Sequence, residues 1–383
     1  MNGNQVVQGA DFSFHLPTAI EFGLGKATRL GEILLPLGVK KVFIVTDKGV
    51  VSAGLLEGVT FSLQHQGIGY DIYAEVESDP SLETIDRGAE YFLKQPYDCV
   101  VAIGGGSPID TAKGIRVVAT NGGSIGQYAG VHRVPTASPI PLVAIPTTSG
   151  TGSEVTIFGV YSDWHNQVKI TVTSPYMAPT LALIDPALTI GLPSKMSAAT
   201  GIDALAHGIE TYFSLGSSPA SDALALQAME VVVANLRRAV HDGSDMTARI
   251  GMSHGSLLAG MAFNNGFLGL AHAIGSALSG HCHVAHGVAI GLLLPHVVAF
   301  NTPVCPEKAA KLAVLMGAQE KAAEAVAQLV WEIGLPTRMR EVNVKEEKLV
   351  DIARDSFKSG MMKFNPRKPT EQEVLELLQR AFW

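Results

Sequence analysis

Residues 98–110 read DCVVAIGGGSPID, so a short apolar run leads directly into three glycines, a serine and a proline. The apolar run predicts a buried strand and the proline suits the first turn of a helix, which together indicate a strand, a loop and a helix. Glycines let backbone N–H groups approach an anion, and a helix N-terminus adds partial positive charge. The junction therefore suits a pyrophosphate, although three glycines also fit a tight turn and the GxGxxG fingerprint is missing.

Two further apolar runs, KVFIVTD at 41–47 and PLVAI at 141–145, alternate with helical stretches up to about residue 185. This alternation predicts a parallel sheet with helices on both faces. Asp47 ends the first run, where a carboxylate can bind ribose hydroxyls or cap the next helix. The polar loop PTTSGTGSE at 146–154 follows the second run and either lines the same crevice or forms a solvated turn.

The second half of the chain has a different texture. After Pro193 the segments are long, rich in Ala, Leu and Met, and spaced as in helices. We therefore predict two domains, an α/β dinucleotide-binding domain over residues 1–185 and an all-helical metal-binding domain over residues 186–383. A cleft between two such domains is the natural place for a ligand.

Acidic and imidazole side chains in the helical half predict a metal site. Asp203 and His207 are four residues apart, so they share one face of a helix. His272 and His286 would be about 21 Å apart on one straight helix at ~1.5 Å per residue, so the chain must turn between them. The segment GHCH at 280–283 supplies a break. One carboxylate and three imidazoles suit iron(II) or zinc, whereas the Asp-His pair alone also fits a satisfied core contact.

Bulk properties narrow the class of protein. The 383 residues are 47% hydrophobic and 16% charged, with a net charge of -7, which argues against a nucleic-acid partner. Three cysteines are an odd, sparse set that favours a reducing cytoplasm. We find neither a signal-peptide pattern nor an apolar run approaching the roughly 20 residues of a membrane span. The expectation is a cytoplasmic protein with no membrane partner.

Taken in order, the motifs resemble the iron-containing (group III) alcohol dehydrogenase family over nearly the whole chain. They are VTDK at 45–48, GGGSPID at 104–110, PTTSGTGSE at 146–154, IDP at 184–186, GIDALAHGIE at 201–210, FNNGFLGLAH at 263–272, HGVAIGLLLPHV at 286–297 and FNPR at 364–367. The resemblance implies an N-terminal dinucleotide-binding α/β domain, an all-helical C-terminal domain and a catalytic ion in the cleft. It also implies a homo-oligomer, dimeric or larger.

The resemblance also assigns roles to individual residues. The ligands of the ion, iron(II) or zinc, fall on Asp203, His207, His272 and His286. For the cofactor NAD, the pyrophosphate loop falls on Gly105, Gly106, Ser107 and Asp110, the nicotinamide contacts on Thr147, Thr148 and Thr151, a further contact on Lys169, and the ribose-binding acid on Asp47. The implied reaction moves a hydride between NAD(H) and a small primary alcohol or aldehyde.

The sequence departs from the family pattern at two positions. Many members carry a histidine four residues after the third ligand that relays the alcohol proton, and this chain has Ser276 there, with His281 and His283 as alternative relays. The second departure lies in the expected substrate pocket, after Thr156. Some family members that act on small diols have a polar side chain at a position where this chain has Phe158. With Phe263 it predicts an apolar pocket wall, which disfavours a strongly hydroxylated substrate.

Two other functions fit parts of the pattern. A lyase of the dehydroquinate synthase type has a related fold, uses NAD transiently and binds a metal, but it needs an anion pocket rich in Lys and Arg. Between residues 203 and 286 the basic residues are Arg237, Arg238 and Arg249, none beside a predicted ligand. A non-catalytic NAD-binding protein would not need all four ligands. A net change in NADH with simple aldehydes separates these alternatives.

Overall fold

The computed structural model describes residues 11–319 and 321–383. Contacts divide the chain into two compact units. The sheet unit comprises Pro17–Pro193 and Gly243–Ser253, and the helical unit comprises Ser194–Asp242, His254–Trp383 and the N-terminal segment ending at Leu16. The contacts divide the chain between residues 193 and 194, eight residues after the domain boundary predicted between residues 185 and 186, and assign Gly243–Ser253 to the sheet unit. The predicted domain boundary stays a prediction.

The sheet unit contains two sheets. In the described residues the strands are β1 (Ala19–Phe22), β2 (Lys41–Asp47), β3 (Gly69–Val76), β4 (Cys99–Gly104), β5 (Gly130–Val131), β6 (Leu142–Pro146), β7 (Phe158–Asp163), β8 (Val168–Thr173) and β9 (Leu181–Ile184). The larger sheet has the order β1-β9-β6-β4-β2-β3 and is parallel throughout. In the smaller sheet, β5-β8-β7, strand β8 pairs parallel with β5 and antiparallel with β7.

The larger sheet is buried on both faces, as its continuous apolar strands predict. The helices of this unit are α1 (Leu30–Leu34), α2 (Lys48–Ser52), α3 (Glu57–His65), α4 (Leu82–Phe92) and α5 (Gly106–Asn121). Alternate residues of β2 enter opposite cores: Phe43 packs in the core that contains residues of α4 and α5, whereas Ile44 packs in the core that contains residues of α1 and α3. The expected parallel sheet with helices on both faces is confirmed.

The helical unit has no strand among its described residues. Its helices are α6 (Ser194–Phe213), α7 (Pro219–His241), α8 (Met246–Gly266), α9 (Leu270–Cys282), α10 (His286–Asn301), α11 (Pro306–Leu315), α12 (Ala322–Glu332), α13 (Leu349–Ser356) and α14 (Glu371–Phe382). The first residues of α8 belong to the sheet unit. Short 3-10 helices occupy Ala27–Arg29, Leu35–Leu37, Ile125–Tyr128, Ser153–Val155, Pro175–Met177, Pro186–Thr189, Thr302–Val304, Met339–Val342, Glu346–Lys348 and Gly360–Phe364.

One helical segment has the length and mean hydropathy of a membrane span. Within the described residues, His286–Val304 is long and apolar enough to cross a membrane, and α8 with α9 passes the same test as a pair bent by 101°. That test considers length and mean composition, and the segment is interrupted by the polar residues His286, His296 and Asn301. Half of the His286–Val304 window is buried inside the fold, as in the core helix of a soluble protein.

Candidate active site

Three imidazoles of the helical unit converge on one carboxylate oxygen. The Nε2 atoms of His207, His272 and His286 lie 3.8, 3.3 and 3.6 Å from Oδ1 of Asp203. Asp203 and His207 come from α6, His272 from the first turn of α9 and His286 from the first residue of α10. The first three are buried, whereas the His286 side chain is 32% exposed. The structure thus brings together all four residues that the sequence analysis selected.

The chain reverses between His272 and His286 within the predicted segment 280–283. Helix α9 continues through Gly280 to Cys282, and His283 then adopts the left-handed conformation with φ of 53°. Helix α10 starts three residues on. A Cβ on Gly287 would collide with the carbonyl oxygen of Ala199, so this glycine lets the start of α10 approach the backbone of α6 closely. The approach brings His286 to Asp203.

The cluster fits a divalent cation. Oδ1 of Asp203 and Nε2 of His272 are buried and make no hydrogen bond, and an ion coordinated by both would satisfy them. Burial alone raises the pKa of Asp203, but the surrounding imidazoles outweigh it and hold that pKa well below its usual value. Burial lowers the pKa of His272, but the carboxylates of Asp203 and Glu210 raise it to about 9. The two carboxylates thus favour a positive charge at His272, which a bound cation would also supply.

Glu210 is a site residue to which the sequence analysis gave no role. Its carboxylate accepts a hydrogen bond of 2.6 Å from Nδ1 of His272, and both groups are buried. Metal-binding histidines usually donate their second ring N–H to such a partner. The spacing could have identified it, because Asp203, His207 and Glu210 follow one another at four and three residues on one helix face.

The predicted substrate-pocket residues have different surroundings. Phe263 stacks on the ring of His207 with centroids 4.4 Å apart, so an apolar face adjoins the cluster. Phe158 belongs to β7 of the sheet unit. The Thr156 hydroxyl is buried, donates to the carbonyl of Ser153 and accepts from Lys113. A common pocket wall of Phe158 and Phe263 stays a prediction.

The candidate proton relays also differ in position. Ser276 is half-buried on α9, one turn after His272. Nε2 of His281 lies 2.9 Å from a carboxylate oxygen of Asp355, so that ring nitrogen already has a partner. His283 is exposed at the reversal. Of the three, Ser276 has the position expected from the resemblance.

Except for Lys169 on β8, the predicted nucleotide residues follow or end the adjacent strands β2, β4 and β6, at their carboxyl ends. Gly105 is the N-cap of α5, and the half-exposed Gly106 and Ser107 form its first turn. A Cβ on Gly106 would lie 2.9 Å from the side chain of Thr151, so a glycine is needed where these two segments touch. Thr147 is buried and its N–H donates to the carbonyl of Gly104, whereas Thr148 is half-exposed.

Asp47 caps a helix, which is one of the two roles that its position in the sequence suggested. Its Oδ1 accepts a hydrogen bond of 2.9 Å from the N–H of Val50 and so caps α2. A cap and a ribose contact are compatible, because the carboxylate has a second oxygen. The ribose contact stays a prediction.

Asp110 is engaged within the protein. One carboxylate oxygen accepts from Ser153 and from the ammonium group of Lys113, and the other accepts from the N–H of Val160 at 3.0 Å. Lys113 is fully buried and also donates to the carbonyl of Phe158. Asp110 therefore ties α5 to the 146–156 loop and β7, and its contact with a pyrophosphate stays a prediction.

Lys169 likewise has a protein partner, since its ammonium group lies 2.6 Å from a carboxylate oxygen of Asp79. Asp79 is itself in the left-handed conformation with φ of 56°. The pair links β8 to the loop that follows β3. A contact between Lys169 and the cofactor stays a prediction.

Comparison with known proteins covers both units. Residues 17–186 match the family described as iron-containing alcohol dehydrogenase, and residues 197–382 match the Fe-containing alcohol dehydrogenase family, C-terminal. The 1,3-propanediol dehydrogenase of Klebsiella pneumoniae is 40% identical over 383 residues, covering 97% of this chain and 99% of the relative. The NAD-dependent methanol dehydrogenase of Bacillus methanolicus is 38% identical over 379 residues, covering 96% and 99%.

A solved structure gives the same result for the fold. The crystal structure of a 1,3-propanediol oxidoreductase superposes with a TM-score of 0.94 at 40% identity, covering 97% of this chain and 100% of the other. Similarity of this extent includes the sheet, the helices and the segments that carry the candidate site.

Proposed function

Because the chain belongs to the iron-containing alcohol dehydrogenase family, we propose that it transfers a hydride between NAD(H) and a small primary alcohol or aldehyde. An oxidoreductase that acts on alcohols follows from the family itself. The proposal adds the cofactor, the substrate size and an ion, iron(II) or zinc, held by Asp203, His207, His272 and His286. The observation that carries it is the convergence of three imidazole nitrogens on a buried carboxylate oxygen that has no hydrogen-bond partner.

The helical unit would hold the ion and shield the reacting atoms. A bound divalent ion supplies Lewis acidity, which lowers the pKa of an alcohol hydroxyl or polarises an aldehyde carbonyl. Three largely buried ligands fix the geometry, while the more exposed His286 edge leaves access from solvent. Phe263 covers one face of His207 with an apolar ring, which limits water there. Small alcohols fit such surroundings better than strongly hydroxylated ones.

The sheet unit would hold the cofactor. Bound NAD supplies the hydride acceptor, and the protein supplies orientation and electrostatics. Backbone N–H groups at the start of α5, from Gly105 to Ser107, suit the pyrophosphate, and α5 adds its positive N-terminal end. Thr147, Thr148 and Thr151 are assigned to the nicotinamide side, and Lys113 and Asp110 hold the loop that carries them.

We further propose a cytoplasmic homo-oligomer, dimeric or larger. The cysteines of the described chain are free thiols, which suits a reducing compartment.

The proposed function as a whole is tested by metal analysis of the purified protein followed by an NADH-coupled screen of short alcohols and aldehydes. Turnover without a net change in NADH would favour the lyase reaction instead.

Cofactor preference should depend on Asp47. The carboxylate can hydrogen-bond the 2′-hydroxyl of NAD, whereas the 2′-phosphate of NADP would bring like charges together. The repulsion between two like charges at ~4 Å and an effective dielectric near 20 is about 4 kcal/mol. Screening by salt leaves roughly 1.4 kcal/mol, which corresponds to about a tenfold preference for NAD. We expect Asp47→Gly to gain more kcat/KM with NADP than it loses with NAD.

Helix capping and charge can be separated at this position. Asp47→Asn keeps a good N-cap but loses the charge, and glycine at an N-cap costs only a few tenths of a kcal/mol. Both variants should shift the cofactor preference toward NADP. The shift should be smaller if the ammonium group of the neighbouring Lys48 already attracts the 2′-phosphate. A parent enzyme that is already faster with NADP would contradict the assignment of Asp47.

Ser276 is expected to influence the rate modestly. A hydroxyl passes a proton only within a chain of hydroxyls and waters, and water can replace it, so Ser276→Ala should lower kcat by no more than about tenfold. Ser276→Thr keeps the hydroxyl and serves as the control. Ser276→His restores the commoner family arrangement and should raise activity. If the pH–rate profiles of all variants coincide with that of the parent, the proton leaves by another route.

A further inference from the structure

We propose that Glu210 is a positioning residue that fixes both the start of α9 and the orientation of the His272 ring, and thereby sets the affinity of the cluster for its ion. The inference rests on the proposed function, in which His272 is a ligand. Glu210 does not itself approach Nε2 of His272, the atom that faces Asp203, and instead contacts the other ring nitrogen and the backbone.

The carboxylate of Glu210 accepts three hydrogen bonds from two consecutive residues. One oxygen accepts from the N–H of Ala271 at 2.5 Å. The other accepts from Nδ1 of His272 at 2.6 Å and from its backbone N–H at 3.3 Å. Glu210 and His272 are both nearly inaccessible to solvent. Bonds to an ionised acceptor in such surroundings are stronger than neutral ones, so the ring and its backbone are held by one group.

These bonds complete the N-terminus of α9, which has no cap of its own. Its N-cap is Gly269, and no side chain of the local sequence caps the helix. Glu210 from α6 and Asn365 from the C-terminal segment accept its first N–H groups instead, the Leu270 N–H reaching Asn365 at 3.2 Å. A carboxylate at this end also complements the helix dipole.

A side chain at position 269 would crowd Asn365 and Glu210. A Cβ there would lie 3.0 Å from the side-chain oxygen of Asn365 and 3.2 Å from that of Glu210. Asn365 is paired in turn with Asn301, the last residue of α10, through two hydrogen bonds. The start of the helix that carries His272 is thus tied to α6 and, through Asn365, to the end of the helix that carries His286.

The contact also determines which ring nitrogen of His272 is free. An ionised carboxylate only accepts hydrogen bonds, so Glu210 keeps a proton on Nδ1. Nε2 is the atom that faces Oδ1 of Asp203 at 3.3 Å. A bound cation would therefore take the place of any proton on Nε2, while the proton on Nδ1 stays with Glu210.

The test is a titration of the metal-free protein with Co²⁺ against a competing chelator, followed by its visible absorption spectrum. Glu210→Gln retains the size of the side chain but places an NH₂ group against the donors of Ala271 or His272. We expect Co²⁺ affinity to fall by about 10- to 100-fold and the ligand-field bands to move. Glu230→Gln makes the same chemical change at an exposed position of α7 and should match the parent.

The outcomes separate this inference from the proposed function. Stoichiometric binding by the parent, with equal affinity and spectrum in Glu210→Gln, would overturn only the role of Glu210. A parent that binds no Co²⁺ would overturn the proposed site itself. If Glu210→Gln does not fold, ¹⁵N NMR of the histidine-labelled, zinc-loaded parent decides: a proton on Nδ1 of His272 supports the inference, and a proton on Nε2 refutes it.

Discussion

Removal of the divalent ion with a chelator is expected to abolish turnover while NADH binding persists. The proposed ligands lie on α6, α9 and α10 of the helical unit, whereas the residues assigned to NAD all lie in the sheet unit. A Lewis acid contributes several kcal/mol to such a reaction, and a loss of about 4 kcal/mol lowers the rate roughly a thousandfold. Equilibrium NADH fluorescence and an NADH-coupled assay of the same sample measure the two effects.

Two controls make this experiment decisive. Chelator that has been saturated with calcium beforehand should leave turnover unchanged. Zinc or iron(II) added to the metal-free protein should restore the lost turnover. If NADH binding disappears together with turnover, the assignment of the two groups of residues to separate functions is wrong. Full turnover in protein shown to be free of metal would reject the role of the ion.

Asp203→Ala and His272→Ala are each expected to lose stoichiometric metal and to fall to the activity of the chelated parent. Four protein ligands leave little redundancy, and Asp203 is the residue on which the three imidazoles converge. Removing its charge also leaves the three imidazoles without the carboxylate that they share. Metal content by elemental analysis and kcat/KM on a short aldehyde check this prediction.

His254→Ala is the matched control, because His254 is an exposed histidine of α8. It should keep its ion and its activity. Asp203→Asn adds a variant of nearly unchanged shape and should behave like Asp203→Ala if charge is what binds the ion. A full complement of metal in either Asp203→Ala or His272→Ala would remove that residue from the site.

The architecture was predictable because its physical causes are local. Strands β2, β4 and β6 are buried on both faces, so they appear in the sequence as short continuous apolar runs. The ligand pair of α6 was recognisable because a helix places residues four apart on one face. The motifs then identified the family, and the comparisons confirmed that identification.

Other features depend on contacts between distant segments. Nothing local marks Lys113 as fully buried; it is accommodated because Asp110, Ser153, Thr156 and Phe158 surround its ammonium group with acceptors. The left-handed residue of the reversal had no local signal, because glycine is the usual sign of that conformation and His283 adopts it here. The role of Glu210 depends on the folding of α9 against α6.

The most direct measurement of the central claim is anomalous diffraction from crystals of the zinc- or iron-loaded protein at the absorption edge of that metal. We expect one strong peak per chain within bonding distance of Asp203, His207, His272 and His286. The peak and the NADH-linked activity should disappear together on chelation. A fully active crystal form with no peak at these residues, or with its metal at the adjacent His281, Cys282 and His283, would contradict it.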